Sequence, residues 1–205
     1  APLSAKSIKN IHGVLHKALK QAVLIGYLRT NPTEACILPR IIRKEMHPLE
    51  EDQVAVFLRE VQGHPHEYLY KIALFTGLRE GEVLGLGWEH IDFQAGTLTV
   101  KRQLRREQKK GGEYYFSPPK NNKSRCLTLA PSVIQLFRLQ KLEQNSMRME
   151  AGDAWEEHGL IFTNQTGGYL SYRTVYDCFK RIVRNIGAPA TRFHDLRHTF
   201  AVASI

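Results

Sequence analysis

Leu69-Tyr70-Lys71-Ile72-Ala73-Leu74-Phe75-Thr76-Gly77-Leu78-Arg79-Glu80-Gly81-Glu82 decides the fold. Residues 67–76 are apolar almost all round, the pattern of a helix buried on every side. Gly77 breaks that helix, and another runs from Arg79 to about Leu86. The hydrophobic period then changes. Thr97 to Leu104 alternates like a strand, and Tyr114 to Ser117 and Arg125 to Leu129 predict two more. A polar, basic loop, Arg105 to Gly112, lies between the first two. The expectation is a small antiparallel sheet with a basic hairpin, set among helices.

Outside this junction the helical period dominates. Ile8, Ile11, Leu15, Ala18, Leu19 and Ala22 predict an amphipathic helix over 4–25, ended by Gly26 and Asn31-Pro32. Residues 33–47 read as a connector with a basic stretch from Arg40 to Lys44. A helix over about 49–61 carries Glu50, Glu51 and Asp52 in its first turn, where the helix dipole favours acids. Helical spacing returns over 131–150. Leu160 to Thr163 reads as a short extended piece. Ser171 is placed to cap a helix bearing Val175, Phe179, Ile182 and Val183. A last helix begins near His194. The fold class is therefore mostly α (α+β). Residues 1–47 are too few and too one-sided to close a core alone. They read as the C-terminal part of an all-α domain and its linker, with a helical domain bearing the small sheet over 48–205.

Among the 205 residues, 29 Lys and Arg stand against 20 Asp and Glu, a formal charge of +9. Such a balance points to a polyanionic partner. The three cysteines, Cys36, Cys126 and Cys178, have neither metal nor redox spacing, which fits a reducing compartment. No apolar run is long enough to span a membrane. The first residue is Ala1, so the chain reads as a piece excised from a longer protein.

Three stretches carry chemistry. In the first, Arg79 follows a glycine turn at a helix start, and Glu82 lies one helical turn on, so the carboxylate can hold the guanidinium. Alone, such a pair is more often a surface ion pair. In the second, Pro118-Pro119-Lys120-Asn121-Asn122-Lys123-Ser124-Arg125 puts lysines at a hairpin tip. A lysine there can enter a DNA groove or protonate a leaving oxygen. In the third, Phe193-His194-Asp195-Leu196-Arg197-His198, helical spacing aims His194 and Arg197 the same way. A histidine beside a bidentate cation suits an anionic phosphorane. His194 and His198 have metal-ligand spacing, but the acid of a zinc-protease helix is missing and no third ligand is near. The expectation is no metal and no cofactor. His12 and His16 share the spacing on a helix that reads as structural.

Together, Gly-Leu-Arg-x-x-Glu, a hairpin lysine and His-x-Leu-Arg-His resemble the tyrosine recombinase (integrase) family across residues 48–205. Leu84-Gly85-Leu86-Gly87-Trp88-Glu89-His90-Ile91-Asp92 looks like a continuation of the family's first arginine box, and residues 4–36 resemble the last helices of its core-binding domain. The flavour is closest to integrases of conjugative transposons. The resemblance makes Arg79 and Arg197 the clamp on a scissile phosphate, His194 the second-box histidine, and Lys120 the general acid, with Lys123 its rival. Glu82 would orient Arg79. It implies cleavage through a 3′-phosphotyrosyl link, with the arginines supplying the charge that a metal ion supplies elsewhere. The basic set Lys101, Arg102, Arg105, Arg106, Lys109, Lys110, Lys123 and Arg125 would meet DNA. The implied partner is double-stranded DNA in the bacterial cytoplasm, at the nucleoid, with dimers or tetramers of the full-length protein and no membrane.

One departure is expected to matter. In the family the nucleophilic tyrosine follows the His-x-x-Arg-His box at a distance, and none of the eight tyrosines here has that place. The domain thus reads as truncated at its C-terminus, binding DNA without cutting. The alternatives are a non-catalytic DNA-binding fragment or regulator, and a type IB topoisomerase, which residues 1–47 disfavour.

Overall fold

The computed structural model describes residues 2–42, 45–109, 111–119 and 122–203, so Lys110 and Lys120 lie outside the described residues. The chain divides into two compact units, Ala1–Glu45 and Met46–Ile205.

In the first unit, helix α1 spans Ala5–Leu24. Ser4 caps it: its Oγ accepts the Ser7 N–H at 3.1 Å. No residue of α1 is buried, and Ile11, Val14 and Leu15 are exposed. Asn31 opens a short 3₁₀ turn, Pro32–Ala35. Its Oδ1 accepts the Thr33 N–H at 3.1 Å, and its Nδ2 donates to the His16 carbonyl at 3.1 Å. His16 Nδ1 lies 2.8 Å from Thr33 Oγ1, and His12 Nε2 lies 3.0 Å from the Thr33 carbonyl. The two histidines of α1 therefore fasten the turn to the helix.

The second unit holds the core. Helix α2, Glu51–Glu60, starts at Glu50, whose N–H donates to Gln53 Oε1 at 3.1 Å. Helix α3, Glu67–Thr76, buries Leu69, Tyr70, Ile72, Ala73, Leu74 and Thr76. At about 1.5–3 kcal/mol per large apolar side chain, packing rather than propensity holds it. Helix α4, Glu80–Leu84, follows after a short break. Strands β1 (Ile91–Asp92), β2 (Thr97–Val100), β3 (Gln103–Arg106), β4 (Tyr114–Ser117) and β5 (Arg125–Thr128) come next. Helices α5 (Pro131–Ala151), α6 (Tyr172–Asn185) and α7 (Asp195–Ala203) complete the unit. Ser171 stands at the N-cap of α6, but its side chain accepts no capping hydrogen bond.

The expected single strand from Thr97 to Leu104 is two strands in two sheets. β1, β2 and β5 form a three-stranded antiparallel sheet, while β3 and β4 form a two-stranded one. The alternation is real: Leu98, Val100 and Leu104 are all buried. Arg102 falls on the same inward phase and cannot enter the apolar core. It turns aside, donating from Nε to the Gly85 carbonyl at 3.0 Å and meeting Glu89 at 3.1 Å. The ladder changes partner there as well. β2 pairs as far as Val100↔Arg125, and β3 resumes at Gln103↔Ser117. Pro118 and Pro119 interrupt the partner chain between Ser117 and Arg125 and have no N–H to continue a ladder.

A set of aromatic rings positions the chemistry. Phe57, Tyr70 and Phe179 are fully buried, and Phe193 is nearly so. Phe193 lies 6.2 Å from Tyr70 and 5.5 Å from Phe179, centroid to centroid. The Tyr70 hydroxyl donates to the Val175 carbonyl at 2.8 Å. This packing ties α3 to α6 and to the entrance of α7, and so sets His194 relative to the end of α3.

Candidate active site

The turn after α3 is where two distant stretches meet. Thr76 Oγ1 donates to the Ile72 carbonyl at 2.6 Å, closing the helix. Gly77 takes the left-handed conformation, φ +60°, and a Cβ there would come 2.8 Å from Phe200 Cδ1. Glycine is needed on both counts. Its carbonyl accepts from Arg197 Nη1 at 2.7 Å. Leu78 is buried, and Arg79 becomes the residue that opens α4.

Glu82 is the hub. It is 1% exposed. Its Oε2 accepts the Arg79 N–H at 2.9 Å, and its Oε1 accepts Arg79 Nη1 at 3.0 Å. Arg125 adds a bidentate pair, Nη1 to Oε1 at 2.9 Å and Nη2 to Oε2 at 2.6 Å. Burial works against the charge, but the hydrogen bonds from Arg125 and Arg79 outweigh it and hold the carboxyl down at about 2. One carboxylate thus serves two guanidiniums while a third stands close by. Burial, then Arg79 and Arg125, push the pKa of Arg197 down, which marks positive charge without enough counter-charge.

His194 precedes α7 rather than starting it. The helix begins at Asp195, although the Arg197 N–H still reaches the His194 carbonyl at 3.2 Å. Asp195 is fully buried and accepts the Arg192 N–H at 3.0 Å and Nε at 3.1 Å, which fixes the helix entrance. Thr199 Oγ1 accepts the Leu49 N–H at 2.9 Å, which anchors α7 to the residues before α2. The His194 ring is solvent-exposed at one side and sits 5.3 Å from His198, edge to face. Desolvation, then His198, Arg79 and Arg197, push its pKa below the usual histidine value, so the ring is neutral at pH 7.

Arg79, Glu82, His194 and Arg197 are therefore brought together from stretches more than a hundred residues apart. The expected DNA-facing cations are dispersed. Lys101, Arg105 and Lys123 are exposed. Lys109 pairs with Glu107 at 2.8 Å, and Arg106 Nε donates to the Gly112 carbonyl at 2.8 Å. Arg102 also covers the Phe116 ring at 4.1 Å. Arg125, also in the expected set, has its guanidinium on Glu82. A sequence signal for this was present: Arg125 and Leu127 share the inward phase of β5, which buried Leu129 continues just beyond the strand.

A second buried acid was not singled out from the sequence. Glu80 is 5% exposed, and its Oε1 has no hydrogen-bond partner. It shares an α4 face with Val83 and Leu84, the i, i+3, i+4 spacing of a core stripe. Burial pushes its carboxyl up to about 8, partly offset by a hydrogen bond from Tyr172. Glu80 lines a cleft of about 720 Å³ between β3, β4 and α6, with Arg79 and His194 along its edge. Among the described residues no His, Cys, Asp and Glu group could hold a metal ion.

Residues 47–204 match the phage integrase family. A tyrosine recombinase XerC-like protein of Caldanaerobacter subterraneus subsp. tengcongensis is 28% identical over 214 residues, covering 97% of this chain and 55% of that protein. An integrase of Streptomyces ambofaciens is 28% identical over 209 residues, covering 97% of this chain and 52% of that protein. The chain spans about half the length of these relatives. The Tn1549 transposon integrase, solved in complex with a circular intermediate DNA, matches with a TM-score of 0.80 and 25% identity, covering 98% of this chain and 67% of that one. A lambda integrase dimer bound to a core site shares the fold, with a TM-score of 0.60 at 21% identity, covering 96% and 51%.

Proposed function

The chain belongs to the phage integrase family, and from that premise we propose that it is the phosphate-binding part of a site-specific recombinase that integrates and excises a mobile element. The observation that carries the reading is the meeting of Arg79, Arg197 and neutral His194 around too little negative charge. A phosphodiester completes that balance. In the five-coordinate transition state the phosphorane carries more charge than the ground-state diester, so the two guanidiniums bind it more strongly and lower the barrier. Glu82 orients Arg79, and Arg125 holds Glu82 in turn. Lys120 protonates the departing 5′ oxygen as the P–O5′ bond breaks, while a tyrosine oxygen forms the 3′-phosphotyrosyl bond.

On this reading that tyrosine is none of the eight in these residues. Tyr70 is buried with its hydroxyl on a carbonyl, Tyr114 and Tyr169 stack at 5.1 Å, and Tyr172 hydrogen-bonds Glu80. On this reading the chain alone binds double-stranded DNA without cutting it, and the full-length protein acts as a dimer or tetramer on DNA. Binding should weaken with salt by close to one unit of log–log slope per phosphate neutralised. A nicked duplex that traps covalent joints, run on a denaturing gel, tests the reading. The expected result is no adduct with this chain and an adduct with a version extended by a C-terminal segment that bears a relative's nucleophilic tyrosine. In the extended version Arg79→Ala and Arg197→Ala should each slow cleavage by roughly 100-fold or more. An adduct formed by the present chain would overturn the assignment of the nucleophile. Unimpaired cleavage by both arginine variants would overturn the site.

A further inference from the structure

The cleft beside the phosphate clamp is built unlike the clamp. Its base is apolar, formed by Leu84, Leu104, Leu170 and Phe193, and Tyr114, Tyr115 and Tyr172 supply aromatic walls. Gln103 and Gln108 bring amides, while Arg105 and Arg106 stand on the β3 side. Glu80 lines the same cleft, and its Oε1 is buried without a hydrogen-bond partner, although nearly all buried polar atoms in folded proteins have one. Among the described residues no cation compensates Glu80, whereas Glu82 on the same helix has two.

Resting on the recombinase reading above, we propose that this cleft is a subsite for one unpaired nucleobase of the DNA strand whose phosphate Arg79 and Arg197 hold, with Glu80 meeting the base's Watson–Crick edge. Four observations select that occupant. About 720 Å³ is ample for a base and its sugar and far more than a phosphate needs. Aromatic walls over an apolar base suit a flat ring, because stacking on tyrosine is available to every base. A neutral carboxylic acid presents a donor and an acceptor side by side, the pattern that base edges carry and a phosphate lacks. Arg79 and His194 line the same cleft, so the group that enters it belongs to the strand clamped there. A paired base cannot reach Glu80, since its edge is occupied within the duplex. Burial keeps Glu80 protonated at neutral pH, and Tyr172 beside it partly offsets that shift. Arg105 and Arg106 remain for the flanking phosphates.

The test compares this chain's affinity for two duplexes of equal length at one salt concentration, one fully paired and one with a short central run of mispairs. Fluorescence anisotropy reads both. The mispaired duplex should bind roughly tenfold more tightly, the order expected for one base gaining an aromatic platform. Glu80→Gln, which keeps a neutral donor and acceptor, should retain most of that preference. Glu80→Leu, which keeps the volume and removes the polar edge, should bring the two affinities together. Tyr172→Ala, at a side chain exposed to solvent, should do the same by removing a wall. Equal affinity of the unaltered chain for both duplexes would overturn the subsite alone, as would a preference that survives both Glu80→Leu and Tyr172→Ala. Binding to neither duplex would overturn the DNA-binding reading and the subsite with it.

Discussion

Glu80 and Glu82 sit in the first turn of the same short helix, both almost completely buried, and they carry different charges at neutral pH. Glu82 is gripped by Arg79 and Arg125 and stays ionised down to about 2. Glu80 lines the tyrosine-walled cleft with no cation beside it among the described residues and holds its proton up to about 8. Burial penalises the charge of both, so depth in the protein does not separate them. The neighbours do: hydrogen-bonded opposite charge outweighs desolvation on one face of α4, and nothing outweighs it on the other. The two faces also differ in what they can bind. The Glu82 face displays excess positive charge for an anion, while the Glu80 face presents a neutral, hydrogen-bonding edge.

Breaking the charged face should have the largest effect. Glu82→Gln leaves the guanidiniums of Arg79 and Arg125 without their counter-ion. Removing one partner of a buried pair costs about 3–5 kcal/mol. The arginine side chains are 40% and 31% exposed, so water screens part of the loss and about 3 kcal/mol is expected. Urea unfolding at pH 7 measures it. A loss below 1 kcal/mol would mean that the arginines find other partners and that Glu82 is not the hub.

The acid limb of the stability curve tests the same face through pH. The folded-state pKa of Glu82, about 2, lies below its ordinary 4.5. Its contribution is therefore fully present above pH 4.5 and lost as pH falls towards 2. The linked free energy is on the order of 3 kcal/mol. The difference between the native chain and Glu82→Gln should shrink over that window. A difference that stays constant from pH 5 to pH 2 would contradict the depressed pKa.

How much of this was legible beforehand differs between the two faces. Gly77-Leu78-Arg79 and Glu82 declare an arginine and an acid one turn apart, and His-x-x-Arg supplies the rest, so the charged face could be assembled from spacing and a family resemblance. The helices were equally plain, because the stripes of α3 and α6 mark which side they bury. The division of the sheet was not. Arg102 is the one polar residue on the inward phase between Leu98 and Leu104, and the matching interruption, Pro118-Pro119 on the pairing segment, is brought alongside only by the register. Arg125 read as one more surface cation until its phase with Leu127 and Leu129 turned it inward. Glu80 was the least visible. Two acids in a helix's first turn look alike in sequence, and whether a cation lies within reach depends on a strand more than forty residues away.

The neutral face should respond with opposite sign and smaller size. The folded-state pKa of Glu80, about 8, lies above its ordinary 4.5. Stability from this group is fully present below pH 4.5 and falls as pH rises to 8. Glu80→Gln has no proton to bind, so its stability relative to the native chain should climb over that window. The gain at pH 8 should be about 2 kcal/mol, less than the full linkage because the buried amide brings polar groups of its own. Thermal melts of both chains at pH 5 and pH 8 read it. An equal offset at the two values would show that Glu80 is ionised throughout.

The smallest effect separates two accounts of that neutrality. Tyr172 is the hydrogen-bonding neighbour of Glu80, and its own pKa is pushed up by burial and then by Glu80. If the phenol donates to the carboxyl, it favours the ionised form and moderates the shift that burial imposes. Tyr172→Phe then removes that moderation, and Glu80 should hold its proton to a pH a fraction of a unit above 8. The accompanying stability change should stay within about 1 kcal/mol, the net worth of one hydrogen bond at a partly open site. A carbon-13 titration of the Glu80 carboxyl in the native chain and in Tyr172→Phe gives the direction directly. An upward move establishes the phenol as donor and leaves Oε1 to whatever enters the cleft. A downward move means that the acid was donating to the phenol instead, so that a base edge would have to displace Tyr172 before it could meet Glu80.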